Sequence, residues 1–134
     1  MPPSSKRTAK KVDTDKFLAL MDRWAESWAG LREHVPVGEG LVAELRPFIL
    51  HLAQSGLTAK TVRRHLDNSW VIGGEIIRHV DWYPKLQKES PRKLLLDAID
   101  IGEAPLVFDY SEEEQRFWDA TARKLLKFLS ENDR

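Results

Sequence analysis

Ser55-Gly-Leu-Thr-Ala-Lys-Thr-Val-Arg-Arg-His-Leu66 is the stretch on which the folding of this chain turns. Gly56 is the residue type that ends a helix in the left-handed conformation, and the Thr58 hydroxyl can accept from the unpaired amides that open the next helix. The stretch therefore predicts a helix, a tight turn and a second helix. Lys60, Arg63 and Arg64 follow the turn directly, which puts cationic groups at the mouth of the second helix, an arrangement suited to phosphate backbones.

Beyond the turn, Val62, Leu66, Trp70, Gly73, Ile76, Ile77 and Val80 recur at helical spacing, the longest apolar periodic run in the chain. Gly73 and Gly74 in its middle cost about 1 kcal/mol each relative to alanine, so their presence predicts a close helix crossing more than a break. Asp81 to Ser90 reads as a loop containing Trp82, Tyr83 and Pro84. Ser90 and Pro91 supply an N-cap and a first-position proline for a short helix marked by Leu94, Leu95, Ala98 and Ile99. Gly102 to Tyr110 is irregular, and Leu106-Val-Phe108 within it is strand-like but too short to build a sheet alone. Ser111 to Glu114 makes a capping box for a last amphipathic helix with Phe117, Trp118, Thr121, Leu125, Phe128 and Leu129 on its apolar side.

Before the turn, Asp13 and Asp15 offer cap chemistry to a helix carrying Phe17, Leu20, Met21, Trp24 and Trp28, ended by Gly30 or by the segment before Pro36. A second helix is expected from near Gly40, burying Leu41, Leu45, Phe48, Ile49 and Leu52, with Pro47 kinking or splitting it. The whole predicts an all-α fold: a single compact bundle of about five helices over residues 13–134. Residues 1–12 have almost nothing to bury and are expected to form a disordered basic tail with Lys6, Arg7, Lys10 and Lys11.

Composition narrows the function classes. With 134 residues, 42% of them apolar, and five tryptophans, one domain can fill a real core. A formal net charge of zero argues against a binder that uses its whole surface to attract nucleic acid, so any DNA role must rest on a local patch. The lack of cysteine excludes disulfides and thiolate metal sites and fits a reducing cytoplasm. No stretch approaches the roughly 20 apolar residues that span a bilayer, and no signal-like apolar core opens the chain, so a cytoplasmic protein without a membrane partner is expected.

The chemistry-bearing residues read mostly as structure. His51, His65 and His79 lack metal-ligand spacing, and Asp97, Asp100 and Glu103 fit the polar side of a short helix, so neither metal nor cofactor is expected. No phosphate loop, nucleophile elbow or Cys-His pair is present, and no enzymatic activity is expected. Asp109, Glu112, Glu113, Glu114 and Asp119 face a lone Arg116 at a helix start, where the helix dipole accounts for carboxylates. Arg63 can pair with Asp67 one turn on, which competes with a phosphate-binding role. Trp24, Trp28, Trp70 and Trp118 fall on apolar stripes as core residues. Trp82 and Tyr83 are either a lid over the core, the favoured reading, or an exposed anchor for a partner.

Two resemblances bear on these residues. Gly56, Leu57, Thr58, Thr61 and Val62 resemble the turn and recognition-helix start of helix-turn-helix proteins, with Leu52 where such motifs usually carry a small residue. The run from Phe17 to Val80, in which GLTAKTVRRHLDN opens a long helix, resembles the core-binding, SAM-like domain that precedes the catalytic domain of tyrosine recombinases and phage integrases. That resemblance implies contact with DNA without strand cleavage, because no Arg, His-x-x-Arg and nucleophilic Tyr constellation follows and Tyr83 and Tyr110 sit in loop-like contexts. The expected function is a small non-catalytic, DNA-associated protein of a bacterium, phage or mobile element. It would contact duplex backbone through segment 55–71 with Thr58, Lys60, Arg63 and Arg64, helped by Lys6, Arg7, Lys10 and Lys11. The alternative is a protein-interaction module, such as an antitoxin, inhibitor or accessory subunit, that docks a protein partner through Trp82 and Tyr83 or through Glu112 and Glu113.

Overall fold

The computed structural model describes residues 12–99 and 111–131. Helix α1 (Thr14–Leu20) continues through a 3-10 turn (Met21–Arg23) into α2 (Trp24–Trp28). Then come α3 (His34–Ala53), α4 (Ala59–Trp82), a 3-10 turn (Pro84–Lys88), α5 (Pro91–Ile99) and α6 (Glu112–Glu131). Among the described residues all regular structure is helical and no strand occurs. No described helix is long and apolar enough to cross a membrane.

Local chemistry sets the helix starts. Asp13 accepts from the Lys16 amide, Thr58 from the Thr61 amide and Ser90 from the Lys93 amide, each at 3.1 Å. Ser111 accepts from the Glu114 amide at 3.1 Å while the Glu114 carboxylate accepts from the Ser111 amide at 3.3 Å, closing the capping box. Gly56 stands at φ +89°, the left-handed conformation in which glycine is at no disadvantage. The helix, turn and helix expected around Gly56 are therefore present.

Packing overrides the sequence expectation at four places. Helix α3 begins at His34, not near Gly40, because Pro36 falls in its first turn, where an amide has no helical acceptor to lose. Of the kink or split expected at Pro47, the split does not occur, and α3 runs unbroken through it. Leu41, Leu45, Phe48 and Ile49 are fully buried on either side, and Pro47 itself faces solvent, so core contacts outweigh a defect that costs about 3 kcal/mol. Helix α4 runs on to Trp82, so Asp81 and Trp82 are helical, and Tyr83 ends the helix outside the helical conformation, which the following Pro84 disfavours. The fourth correction concerns aromatics: Trp70 is 42% exposed, and Trp82 and Tyr83 are 62% and 58% exposed. Trp70 is thus no core residue, and the Trp82-Tyr83 pair is no lid.

Helix α3 is the hub, touching α1, α2, α4, α5 and α6. That position explains why it buries residues around much of its circumference, from Leu41 and Val42 to Phe48, Ile49 and Leu52. The glycine pair in α4 marks a close crossing, as the apolar run implied. A β-carbon on Gly73 would lie 2.4 Å from the Trp28 ring, so α2 presses its last indole directly onto the α4 backbone. On the other flank α6 docks along α4 through a buried polar contact, and that contact positions the site described next.

Candidate nucleic-acid interface

The start of α4 holds the four residues singled out in the turn. Thr58 spends its hydroxyl locally, accepting from the Thr61 amide and donating to Thr61 Oγ1 at 3.0 Å, so its role is capping. Arg63 Nε donates to Asp67 Oδ1 at 3.0 Å, the i,i+4 pair that the spacing allowed. Both partners are exposed, and such pairs contribute only about 0.3–0.5 kcal/mol, so the guanidinium is easily released. Arg64 lies 4.8 Å above the centre of the Phe117 ring, a cation–π contact worth about 0.5–1 kcal/mol at the surface. Lys60 projects beside them. Together with Asp67, Glu114 and Phe117 these side chains border a shallow groove of about 360 Å³ between α4 and α6.

The two helices are locked in register by Thr121. Its Oγ1 is 2.7 Å from His65 Nδ1 and accepts from Asn68 Nδ2 at 2.9 Å, and Asn68 Nδ2 also reaches the Phe117 carbonyl at 3.2 Å. All three side chains are buried, and a satisfied buried network of this kind fixes one docking geometry. His65 is held below the usual imidazole pKa, first by burial and then by the positive charges of Lys124 and Arg64. A cation from α4 and another from α6 thus act on the same imidazole. Among the described residues no ion pair involves Lys60, Arg64 or Lys124.

Lys124 is the site residue that sequence reasoning missed. The one sequence signal for it is Thr121, a polar residue on the apolar stripe of α6 one turn earlier. Glu112 and Glu113 are exposed in the first turn of α6, where the helix dipole stabilises them, and they are far along the helix from Lys124. Lys6, Arg7, Lys10, Lys11, Asp100, Glu103 and Asp109 lie outside the described residues, as does Leu106-Val-Phe108. Asp97 pairs with Lys93 at 2.8 Å. His51 lies tilted against Phe128 with ring centres 5.2 Å apart, His65 is buried at Thr121, and His79 lies against Trp82 and Tyr83 with ring centres 6.1 and 5.6 Å away. The three histidines do not converge, and no described group of three His, Asp or Glu side chains could hold a metal ion.

The arrangement gathers the positive charges of Lys60, Arg63 and Arg64 along one groove, with Asp67 and Glu114 on the same lining. No family model, curated protein or solved structure matches this chain.

Proposed function

We propose that this protein binds duplex DNA, without cleaving it, through a basic face made by the first two turns of α4 and the second half of α6. The observation that carries this reading is the cationic start of α4, where Lys60, Arg63 and Arg64 border one groove with Phe117 of α6; the positive charges of Arg64 and of Lys124 on α6 both bear on the buried His65. Lys60 extends the face, and Arg63 joins it when its exposed pair with Asp67 opens. The likeness of Phe17–Val80 to the SAM-like core-binding domain of recombinases points the same way, as does a turn that ends in a capped, cationic helix start. Such a role, together with the lack of cysteine, belongs in a cytoplasmic setting.

Three or four phosphate contacts imply weak, sequence-independent binding whose affinity falls with salt at a log–log slope of about −3 to −4. Fluorescence anisotropy of a labelled duplex over a salt series measures this. Replacing Lys60, Arg64 and Lys124 together with Gln should abolish most of the slope at every sequence tested while leaving the helical spectrum unchanged. Absence of any complex at low salt and about 100 μM protein, near the weak limit of non-specific binding, overturns the proposal.

A second reading has one specific observation in its favour. Trp82 and Tyr83 are more than half exposed at the end of α4, and exposed aromatics of this size are frequent anchors in protein interfaces. A protein-docking role for that end of the molecule takes over if the DNA experiment fails.

A further inference from the structure

The groove between α4 and α6 presents more than the charges that phosphate binding uses. Its volume of about 360 Å³ is at the lower end for a small-ligand site, suited to one flat group more than to a length of chain. Phe117 lies on its lining and is 43% exposed, whereas the adjacent Trp118 is only 5% exposed. A benzene ring does nothing to hold a phosphate, so its exposure beside the cations calls for another partner. The ring is also well supported. The Phe117 carbonyl accepts from Asn68 Nδ2 at 3.2 Å and from Thr121 Oγ1 at 3.3 Å, which ties the backbone that carries it into the buried contact between the two helices. Arg64 lies over one face, 4.8 Å from the ring centre.

The charges on the lining are mixed. Asp67 and Glu114 offset most of the positive charge of Lys60, Arg63 and Arg64. For a track of phosphates alone this is a poor arrangement, because the carboxylates repel what the cations attract. For a whole nucleotide it fits. Cations meet the phosphate, an exposed ring meets the face of the base, and a carboxylate can accept from an amino group on the base edge. Asp67 is bonded through Oδ1 and Glu114 through Oε1, so each has a second oxygen to offer.

We propose that this groove takes an unpaired nucleobase stacked on Phe117, so that the protein prefers single-stranded or locally opened DNA to a fully paired duplex. The inference rests on the DNA reading above and names the form of DNA that the same face holds best. A base inside a duplex is stacked on both sides and has no free face to give; an unpaired base has one. Arg64 yields the ring as the base arrives, since stacking of a base outweighs an exposed cation–π contact and the displaced guanidinium gains the phosphate that comes with it. Every base has such a face, so binding remains tolerant of sequence.

The test compares two pairs of probes by fluorescence anisotropy at one salt concentration: a labelled oligothymidine against an abasic strand of equal length and charge, and a duplex with a central unpaired bubble against its fully paired counterpart. Oligothymidine should bind at least about tenfold tighter than the abasic strand, equivalent to about 1.4 kcal/mol and within the reach of one stacked base. The bubble should likewise bind tighter than the paired duplex. Phe117→Leu should bring oligothymidine down to the abasic level while leaving abasic binding and the helical spectrum unchanged, and Phe117→Tyr, which keeps a stacking ring, should retain the preference. In the parent protein, the indole N–H signal of Trp118 on the groove lining should shift with oligothymidine and far less with the abasic strand, a readout that needs no variant to fold. Equal binding within either pair, or a folded Phe117→Leu protein that keeps the preference, overturns the inference and leaves the phosphate reading standing. If no strand and no duplex binds, both fall together.

Discussion

At the scale of single residues, His65 is the group whose state reports on the interface. Its imidazole is buried against Thr121, with Lys124 and Arg64 nearby, and all three influences disfavour the charged form. The unfolded chain therefore takes up a proton at higher pH than the folded one. Stability that is complete above the ordinary imidazole pKa of 6.5 should decline as pH falls from there to the lowered folded value, and then level off with respect to this group. Urea unfolding at several pH values measures the decline, and titration of the His65 ring signals locates the folded value. Phosphates seated over Arg64 and Lys124 would cancel two of the three causes. Duplex DNA should accordingly raise the His65 pKa toward its ordinary value; a value indifferent to saturating DNA would place binding elsewhere. Gly56 makes a complementary point. No atom lies within 4 Å of where its β-carbon would stand, so a side chain there meets no clash, only an unfavourable backbone. Gly56→Val should cost about 1–2 kcal/mol, the penalty for an L-residue in the left-handed region, and an unchanged melting midpoint would show that the turn can adopt another conformation.

At the scale of helices, α2 and α4 meet through a glycine. Gly73→Ala improves helix propensity by about 1 kcal/mol but drives a methyl group into the Trp28 ring, and overpacking of this kind costs about 1–3 kcal/mol. The variant should melt earlier than the parent and shift the Trp28 and Trp70 indole signals, whose hydrogen bonds depend on that approach. Gly30→Ala, which meets nothing within 4 Å, is the matched control and should leave those signals in place. The element scale also shows what a sequence pattern conveys. The Thr58 cap, the Ser90 cap and the Ser111–Glu114 box were legible because each is a contact between residues three apart. The start of α3 and its passage through Pro47 were not legible, since helix-breaking chemistry was overruled by burial against partners distant in sequence.

At the scale of the whole molecule, zero net charge coexists with a cationic start of α4, whose Lys60, Arg63 and Arg64 border the groove they share with Glu114 and Phe117 of α6, while Lys124 lies farther along α6. Replacing Lys60, Arg64 and Lys124 should therefore change DNA affinity without unfolding the bundle. The sequence by itself determined the helical class, the turn at Gly56, the caps, and the presence of cations after the turn, because all of these depend on residues within a few positions of one another. Only the tertiary structure decided that Trp70 and Trp82 are exposed, that the charges of Lys124 and Arg64 both bear on His65, and that His34 faces Asp81 with an unmet proton. An apolar stripe specifies which side of a helix is to be covered, but how much of it is covered depends on the breadth and crossing of the neighbouring helices, which no local pattern encodes.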